Sequence, residues 1–481
     1  MIGQSTIQRL LGMLTTIVLA RVLGSANFGI YSIVVNTANS AYGLVRLGVD
    51  AAIHVHTAEH HSDAETRKAK GQLLGVGLIF LMGAGIIGAV ICLAFANWIA
   101  DVIYSKPELD HWIRLASVLV FLQCISQFVY VLLVGLHRFQ EYAKVMVLSV
   151  SVSTVLISIS SVFGGLPGAL GALIVIQTVT LWLLYRLASS AMLIEHISIR
   201  FEKFRLHATT LLRNGLPFYA AGLVSVPTTY YIQGLVTQNF GLEAMGGLRV
   251  INSVTTLVSF VPTAIAAVMI SNLTRCSTRD YSDFVRTTLL NVKYVWLFVL
   301  IAGTAILSLL PPMINVLFGH AYVALSGPAS IAILSASFAC LMGVVGNIAV
   351  SRKRVAFVFV YTLVQVTTFF IVAFIYAPQY GLTGYFIAEL SGIICALIFI
   401  WLTTCSWRKT NKISAPWVLK LFIVSCLYIA IILLSVMYSS DEIRSVIGFV
   451  FFLFIIPLGY WAILDSEDRN LISRLIKNSL F

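Results

Sequence analysis

The distribution of hydrophobic residues constrains this chain more than any motif. Apolar runs about long enough to span a bilayer recur from one end to the other, joined by short polar loops. Windows of roughly 19 residues give fourteen such segments, near 7–24, 28–52, 72–97, 114–135, 145–163, 169–190, 215–236, 245–270, 290–310, 328–350, 355–376, 382–403, 417–438 and 445–464. Composition agrees: 59% of the 481 residues are hydrophobic and 10% are charged, against about 25% charged in a soluble domain. The expectation is an all-α membrane protein of fourteen transmembrane helices.

Loop charge sets the orientation, because short loops rich in Lys and Arg stay cytoplasmic. The even-numbered loops hold Arg67, Lys68 and Lys70, then Arg138 and Lys144, then Arg200, Lys203, Arg205 and Arg213. They continue with Arg275, Arg279 and Arg286, then Arg352, Lys353 and Arg354, then Arg408, Lys409 and Lys412, and the tail adds Arg469, Arg474 and Lys477. The odd loops hold Lys106, Arg114 and Arg444. Both termini are therefore expected in the cytoplasm. The net charge of +12 is spread at loop spacing, as a chain facing an anionic leaflet requires, and not clustered as in a nucleic-acid binder. The seven cysteines lie in apolar segments or in loops expected in the cytoplasm, so no disulfide framework is implied. No signal-peptide cleavage pattern precedes the first segment, which is expected to be retained.

An internal repeat appears at an offset of 216 to 217 residues. Gly24 and Gly29 match Gly241 and Gly246; Arg138 matches Arg354; Gly165, Leu166 and Gly168 match Gly381, Leu382 and Gly384. Six segments per copy make the copies parallel, as in one class of transporter repeat. The expected organisation is a six-helix lobe at 1–200, a second at 201–410, and two further helices with a tail at 411–481.

Charged residues inside apolar sequence cost roughly 2.5 to 3.5 kcal/mol each on insertion scales, so each needs a reason. Arg21, Arg46 and Arg249 are the foremost. One reading is a cationic cavity between the lobes, where guanidinium forks hold an anionic substrate such as a phosphate. The other pairs Arg46 with Asp50 one turn on and lets Arg21 and Arg249 snorkel to the outer interface. Asp50 and Glu389 are candidate coupling or structural acids. Lys293 is expected to snorkel to the cytoplasmic side. Polar residues that could recognise sugars, or simply bridge helices, are Asn36, Asn39, Tyr42, Gln127, Tyr230 and Gln233.

His56, Glu59 and His60 match the H-x-x-E-H order of inverted zincins. They fall at a segment end and in a charged loop, where a polar loop explains them better, so neither a metal site nor a cofactor is expected. No nucleotide-binding Gly-rich loop with Lys is present. Pro217, Pro227 and Pro262 would kink the seventh and eighth segments as hinges or as static bends.

The LARVLGSANFGIY stretch, the GLHRFQEYA turn, Gly381 to Gly384 and the Arg-rich loop before the eleventh segment resemble the polysaccharide-transporter family of O-antigen and related flippases. The resemblance implies membership of the multidrug, oligosaccharidyl-lipid and polysaccharide exporter superfamily. It further implies an inner-membrane flippase, not an enzyme, moving an undecaprenyl-diphosphate-linked oligosaccharide for O-antigen, lipopolysaccharide or another surface polysaccharide. Arg21, Arg46 and Arg249 occupy places similar to cavity arginines of related lipid II flippases. Departures are Ser271, where many relatives have proline, and Tyr230, Tyr231 and Gln233, where they have an acidic residue. The expected partners are that lipid-linked oligosaccharide and the bilayer, with a polysaccharide polymerase and a chain-length regulator as further candidates. A monomer is expected. The alternatives are a multidrug or cation antiporter, which would use acidic cavity residues, and a membrane polymerase or ligase, which would need a sizeable outer loop.

Overall fold

The structure, a computed structural model, describes residues 2–50, 53, 64–136, 138–194, 204–279, 281–352, 354–403, 423–432, 445–446, 448–454 and 457. These residues form helices and turns and no strand. The long helices are α1 (Ile2–Val45), α2 (Ala64–Trp98), α3 (Asp110–Gly135), α4 (Phe139–Ile194), α5 (Phe204–Phe240), α6 (Leu242–Arg279), α7 (Tyr281–Phe318), α8 (Ser326–Ser351) and α9 (Val355–Thr403). A shorter apolar helix, α10, covers Ile423–Ile432.

Three of these helices are really pairs. α1, α4 and α9 each break at one glycine of positive φ: Gly24 at 73°, Gly165 at 56° and Gly381 at 58°. At Gly165 the chain reverses. A methyl group on Gly168 would stand 2.2 Å from the Ser160 carbonyl oxygen, yet eight residues along a straight helix rise about 12 Å. Gly384 meets the carbonyl of Tyr376 in the same way, at 2.3 Å. A turn this tight needs the left-handed region that glycine enters without cost from a Cβ. Gly241, with φ of 81°, makes the corresponding turn between α5 and α6.

The first twelve predicted segments are thus found in α1 to α9, with α1, α4 and α9 holding two each. Eight helices among the described residues are long and apolar enough to cross a membrane, and three of those are the paired ones. The seventh segment, in α5, falls outside that set because Thr228, Thr229, Tyr230, Tyr231 and Gln233 dilute its apolar character. α10 lies within the thirteenth segment; most of the last two segments lies outside the described residues.

The repeat is visible in the backbone as well. After α3, the Arg138 amide donates to the Leu133 carbonyl at 2.9 Å; after α8, the Arg354 amide donates to Ala349 at 2.8 Å, an offset of 216 for donor and acceptor alike.

The chain forms two compact units, Met1–Arg249 and Val250–Phe481. In the first, a core of Val49, Ile53, Leu74, Val76, Phe128, Leu132, Leu184 and Leu211 joins α2, α3, the end of α4 and the start of α5. The second half of α1 also runs antiparallel to α5 along most of its length. A methyl on Gly48 would come within 2.4 Å of the Gly215 carbonyl, and one on Gly43 within 3.4 Å of Val226. The Tyr219 hydroxyl donates to the Leu44 carbonyl. Farther along, Thr37 and Tyr230 share a 2.7 Å hydrogen bond, and Asn36 donates to Gln233 at 2.7 Å. This seam carries the first unit on to Arg249, whereas the sequence repeat changes over near residue 200.

In the second unit Tyr428 docks α10. It is fully buried, edge-on to Trp296 at 6.1 Å, and its hydroxyl meets Ser337 at 3.0 Å. Gly303 makes the space, since a methyl there would stand 2.0 Å from that hydroxyl.

Two local expectations change. Apolar content carries the second segment to residue 52, but α1 ends at Val45 and a turn follows, with Leu47 at φ 50° and Gly48 at φ 69°. The close crossing with Gly215 leaves no room there for a side chain. Lys293 does not snorkel outward: it is 7% exposed, because α7 begins at Tyr281 and places it about 18 Å into the helix. His56, Glu59 and His60 lie outside the described residues. Among the described residues no group of His, Cys, Asp and Glu could hold a metal, and no disulfide joins the described cysteines.

Candidate functional site

The single-glycine turns place the first functional side chains. Beyond Gly24 the chain crosses the start of α6 by direct backbone contact. A methyl on Gly29 would stand 2.0 Å from the Leu242 carbonyl oxygen, and one on Gly246 2.9 Å from that of Ser25. Two glycines at a crossing let the helices approach at backbone distance.

One turn past Gly246, Arg249 lies with its guanidinium carbon 5.9 Å from the centre of the Tyr31 ring. Tyr31 is 3% exposed and stacked on Phe28 at 6.4 Å, so the ring is a fixed platform. Arg249 itself is half-buried, and no carboxylate among the described residues lies within ion-pair distance of it. A guanidinium held over an aromatic face keeps its charge and its fork of donors open to an anion. Arg21 is exposed, three residues before Gly24.

Arg46 is elsewhere. From Tyr31 to Arg46 the helix rises about 22 Å, so Arg46 does not join Arg249. Its Nη1 meets the Asp50 carboxylate at 3.2 Å, and its guanidinium carbon lies 5.5 Å from the centre of the Tyr42 ring. Asp50 is 7% exposed and also accepts from Gln127 at 3.1 Å. The pair the sequence allowed is present, though it bridges the turn at Leu47 and Gly48 and not a continuous helix.

Glu389, in the second unit, is half-buried in the second half of α9. The sugar candidates are mostly engaged across helices: Asn36 with Gln233, Tyr230 with Thr37, Gln127 with Asp50, and Asn39 with Gln123 at 3.0 Å. Sequence reasoning missed the role of Tyr31 beneath Arg249. No spacing in the sequence ties Tyr31 to Arg249; the helix crossing at Gly29 and Gly246 makes the contact.

Comparison with known proteins adds to this geometry. The profile of the family described as Polysaccharide biosynthesis protein matches residues 1–271. Among solved structures, the chain is similar to a lipid II flippase, MurJ, in an inward closed conformation. That likeness has 14% identity and a TM-score of 0.71, and covers 95% of this chain and 98% of that one. It is also similar to a multidrug resistance MATE family transporter of the MOP superfamily in an inward-facing conformation, at 17% identity and a TM-score of 0.64, covering 85% and 96%. A MOP superfamily transporter from Pyrococcus furiosus follows at 17% identity and a TM-score of 0.59, covering 86% and 94%. No curated protein sequence matches. At these identities the likenesses establish the fold, a helical membrane fold shared with MOP transporters.

Proposed function

The chain belongs to the polysaccharide biosynthesis protein family, and from that membership we propose that it is a flippase for undecaprenyl-diphosphate-linked oligosaccharide. It works by alternating access in a bacterial inner membrane, with both termini in the cytoplasm. The cargo is an O-antigen or other surface polysaccharide unit, the lobes are residues 1–200 and 201–410, and residues 411–481 are appended helices. A polymerase and a chain-length regulator act downstream, and the protein works as a monomer.

The observation that carries this reading is Arg249. A cation in an apolar helix with no acidic partner among the described residues is costly unless an anion compensates it. A diphosphate is the anion this family's lipid-linked cargo offers. Arg21 contributes a second cation near the Gly24 break in α1, and Arg46 responds to the diphosphate only by leaving Asp50. The antiporter alternative calls for acidic residues where the arginines stand, whereas the charge at the Gly29 and Gly246 crossing is the Arg249 cation and Asp50 is already engaged by Arg46 and Gln127. A polymerase or ligase calls for an outer catalytic loop, and Gly24, Gly165, Gly241 and Gly381 reduce their connections to single-glycine turns.

The test is a deletion strain. It should accumulate undecaprenyl-linked oligosaccharide on the cytoplasmic leaflet and lose surface polysaccharide. Accumulation on the outer leaflet would instead indicate a polymerase or ligase.

A further inference from the structure

Glu389 is an acid with no compensating charge beside it among the described residues. It is the one charged residue between Val355 and Thr403, and Ser326–Ser351, the span of α8, has none. α8 is the helix that packs most extensively on α9, and Ser335 of α8 donates to the Phe386 carbonyl one turn before Glu389. On its own helix Glu389 is flanked at i±3 and i±4 by Tyr385, Phe386, Gly392 and Ile393, all buried. No hydrogen bond or ion pair reaches its carboxyl among the described residues.

The other titratable side chains on the elements around it are Cys340 on α8; Tyr361, Tyr376, Tyr380, Tyr385 and Cys395 on α9; and Cys426 and Tyr428 on α10, with no Lys, Arg or second carboxylate among them. Lys293, on α7, is the cation to consider. Glu389 lies about 12 Å of helix from the Gly381 turn, whereas Lys293 lies about 37 Å from the end of α7 on that same side, so about 25 Å of depth separates them.

An uncompensated carboxylate at that depth is too costly to persist as an anion, so it binds a proton or another cation. Asp50, the other intramembrane acid, has its charge matched by Arg46. We propose that Glu389 is the proton-binding site that couples this chain's transport to the transmembrane proton gradient, a proposal that rests on the transport reading above. The carboxylate takes one proton from water on one side of the membrane and returns it to water on the other, with no other bond changed. A neutral Glu389 spares α9 an uncompensated charge, and ionisation disfavours whichever conformation encloses it.

The experiment has two arms. In purified protein reconstituted in lipid, infrared difference spectra are recorded as pH is stepped from about 5 to about 9, which covers the range of a desolvated carboxyl. Wild type should show a protonated-carboxyl band that disappears with rising pH. Glu389→Gln should lack that band, and Asp50→Asn should keep it. In the complemented deletion strain, Glu389→Gln at normal membrane level should lower surface polysaccharide about tenfold or more, while Glu389→Asp, which keeps a titratable group, should retain most of it. A band unchanged in Glu389→Gln, or wild-type polysaccharide from that variant, overturns the proposal. Should Glu389→Gln not fold, the midpoint of the band in Glu389→Asp decides, and an unshifted midpoint overturns it. If polysaccharide does not depend on this chain at all, the flippase reading fails, and the spectra still decide the proton site.

Discussion

Gly29 and Gly246 stand 217 residues apart, and each packs on the residue four before the other. Gly29 meets the Leu242 carbonyl and Gly246 meets that of Ser25, and Ser25 and Leu242 are themselves 217 apart. The contact is thus self-complementary, as two copies of one unit related by a two-fold would make. A duplication read from a few glycines in sequence becomes a physical joint between α1 and α6.

That joint is the first point to test. A Cβ at Gly29 would sit 2.0 Å from a backbone oxygen, which cannot swing aside as a side chain can. Overpacking of this kind costs about 1–3 kcal/mol, roughly a 5- to 150-fold shift in the population of the closed contact. Gly29→Ala should raise the reactivity of a cysteine placed at Ser25 toward a membrane-impermeant maleimide. Gly246→Ala, with 2.9 Å available, should do so less. Equal, wild-type reactivity in both would mean the crossing holds nothing closed.

A similar argument applies at the far end of α1. Gly48 has φ of 69° and backbone contact with Gly215, so Gly48→Ala combines a left-handed penalty of about 1–2 kcal/mol with overpacking of about 1–3 kcal/mol. Thermal unfolding in detergent should show a loss of several degrees. Gly222→Ala, with open space around its α-carbon, is the control and should melt within a degree or so of wild type.

The sequence made the helices legible because apolar length is a strong signal, and it marked the turns because only glycine tolerates those φ values. It could not distinguish the arginines. Arg46 and Arg249 look alike as charges in apolar runs, and what separates them is a turn at Leu47 and Gly48 that aims Arg46 at Asp50, and a crossing at Gly246 that lays Arg249 over Tyr31. Lys293 differs from expectation for a related reason: apolar content sets where a span is counted from, while α7 itself begins nine residues earlier. Tertiary contacts between α1 and α5 were invisible, because Asn36, Thr37, Tyr230 and Gln233 have no spacing that announces a partner.

The Arg46 and Asp50 pair makes a stability prediction with a definite sign. Asp50 is buried and Arg46 is partly exposed, so removing the arginine leaves a buried carboxylate held by Gln127 alone. Breaking one side of a buried pair costs up to about 3–5 kcal/mol, less where one partner meets water, whereas neutralising both avoids the orphaned charge. Arg46→Ala should therefore melt below the Arg46→Ala, Asp50→Asn double variant. Additive losses in this cycle would show that the two side chains do not act together.

Arg249 gives the last test, because its contact with Tyr31 and its proposed contact with a diphosphate can be separated. Arg249→Ala removes a charge-assisted contact of about 1.5–3 kcal/mol, a ten- to hundredfold loss of affinity at roughly 1.4 kcal/mol per decade. Arg249→Lys keeps the charge and loses the bidentate fork, so rescue should be partial. Tyr31→Phe keeps the aromatic face and should leave function near wild type. Tyr31→Ala removes the platform, at a cost of about 0.5–2 kcal/mol, and should fall between wild type and Arg249→Ala. The readout is surface polysaccharide in the complemented deletion strain, with membrane levels checked by blot. If Arg249→Ala at normal level supports wild-type polysaccharide, the guanidinium does not hold the cargo. If instead Tyr31→Ala matches Arg249→Ala while Tyr31→Phe is silent, the ring is what keeps the fork in place, and the crossing at Gly29 and Gly246 is what keeps the ring beneath it.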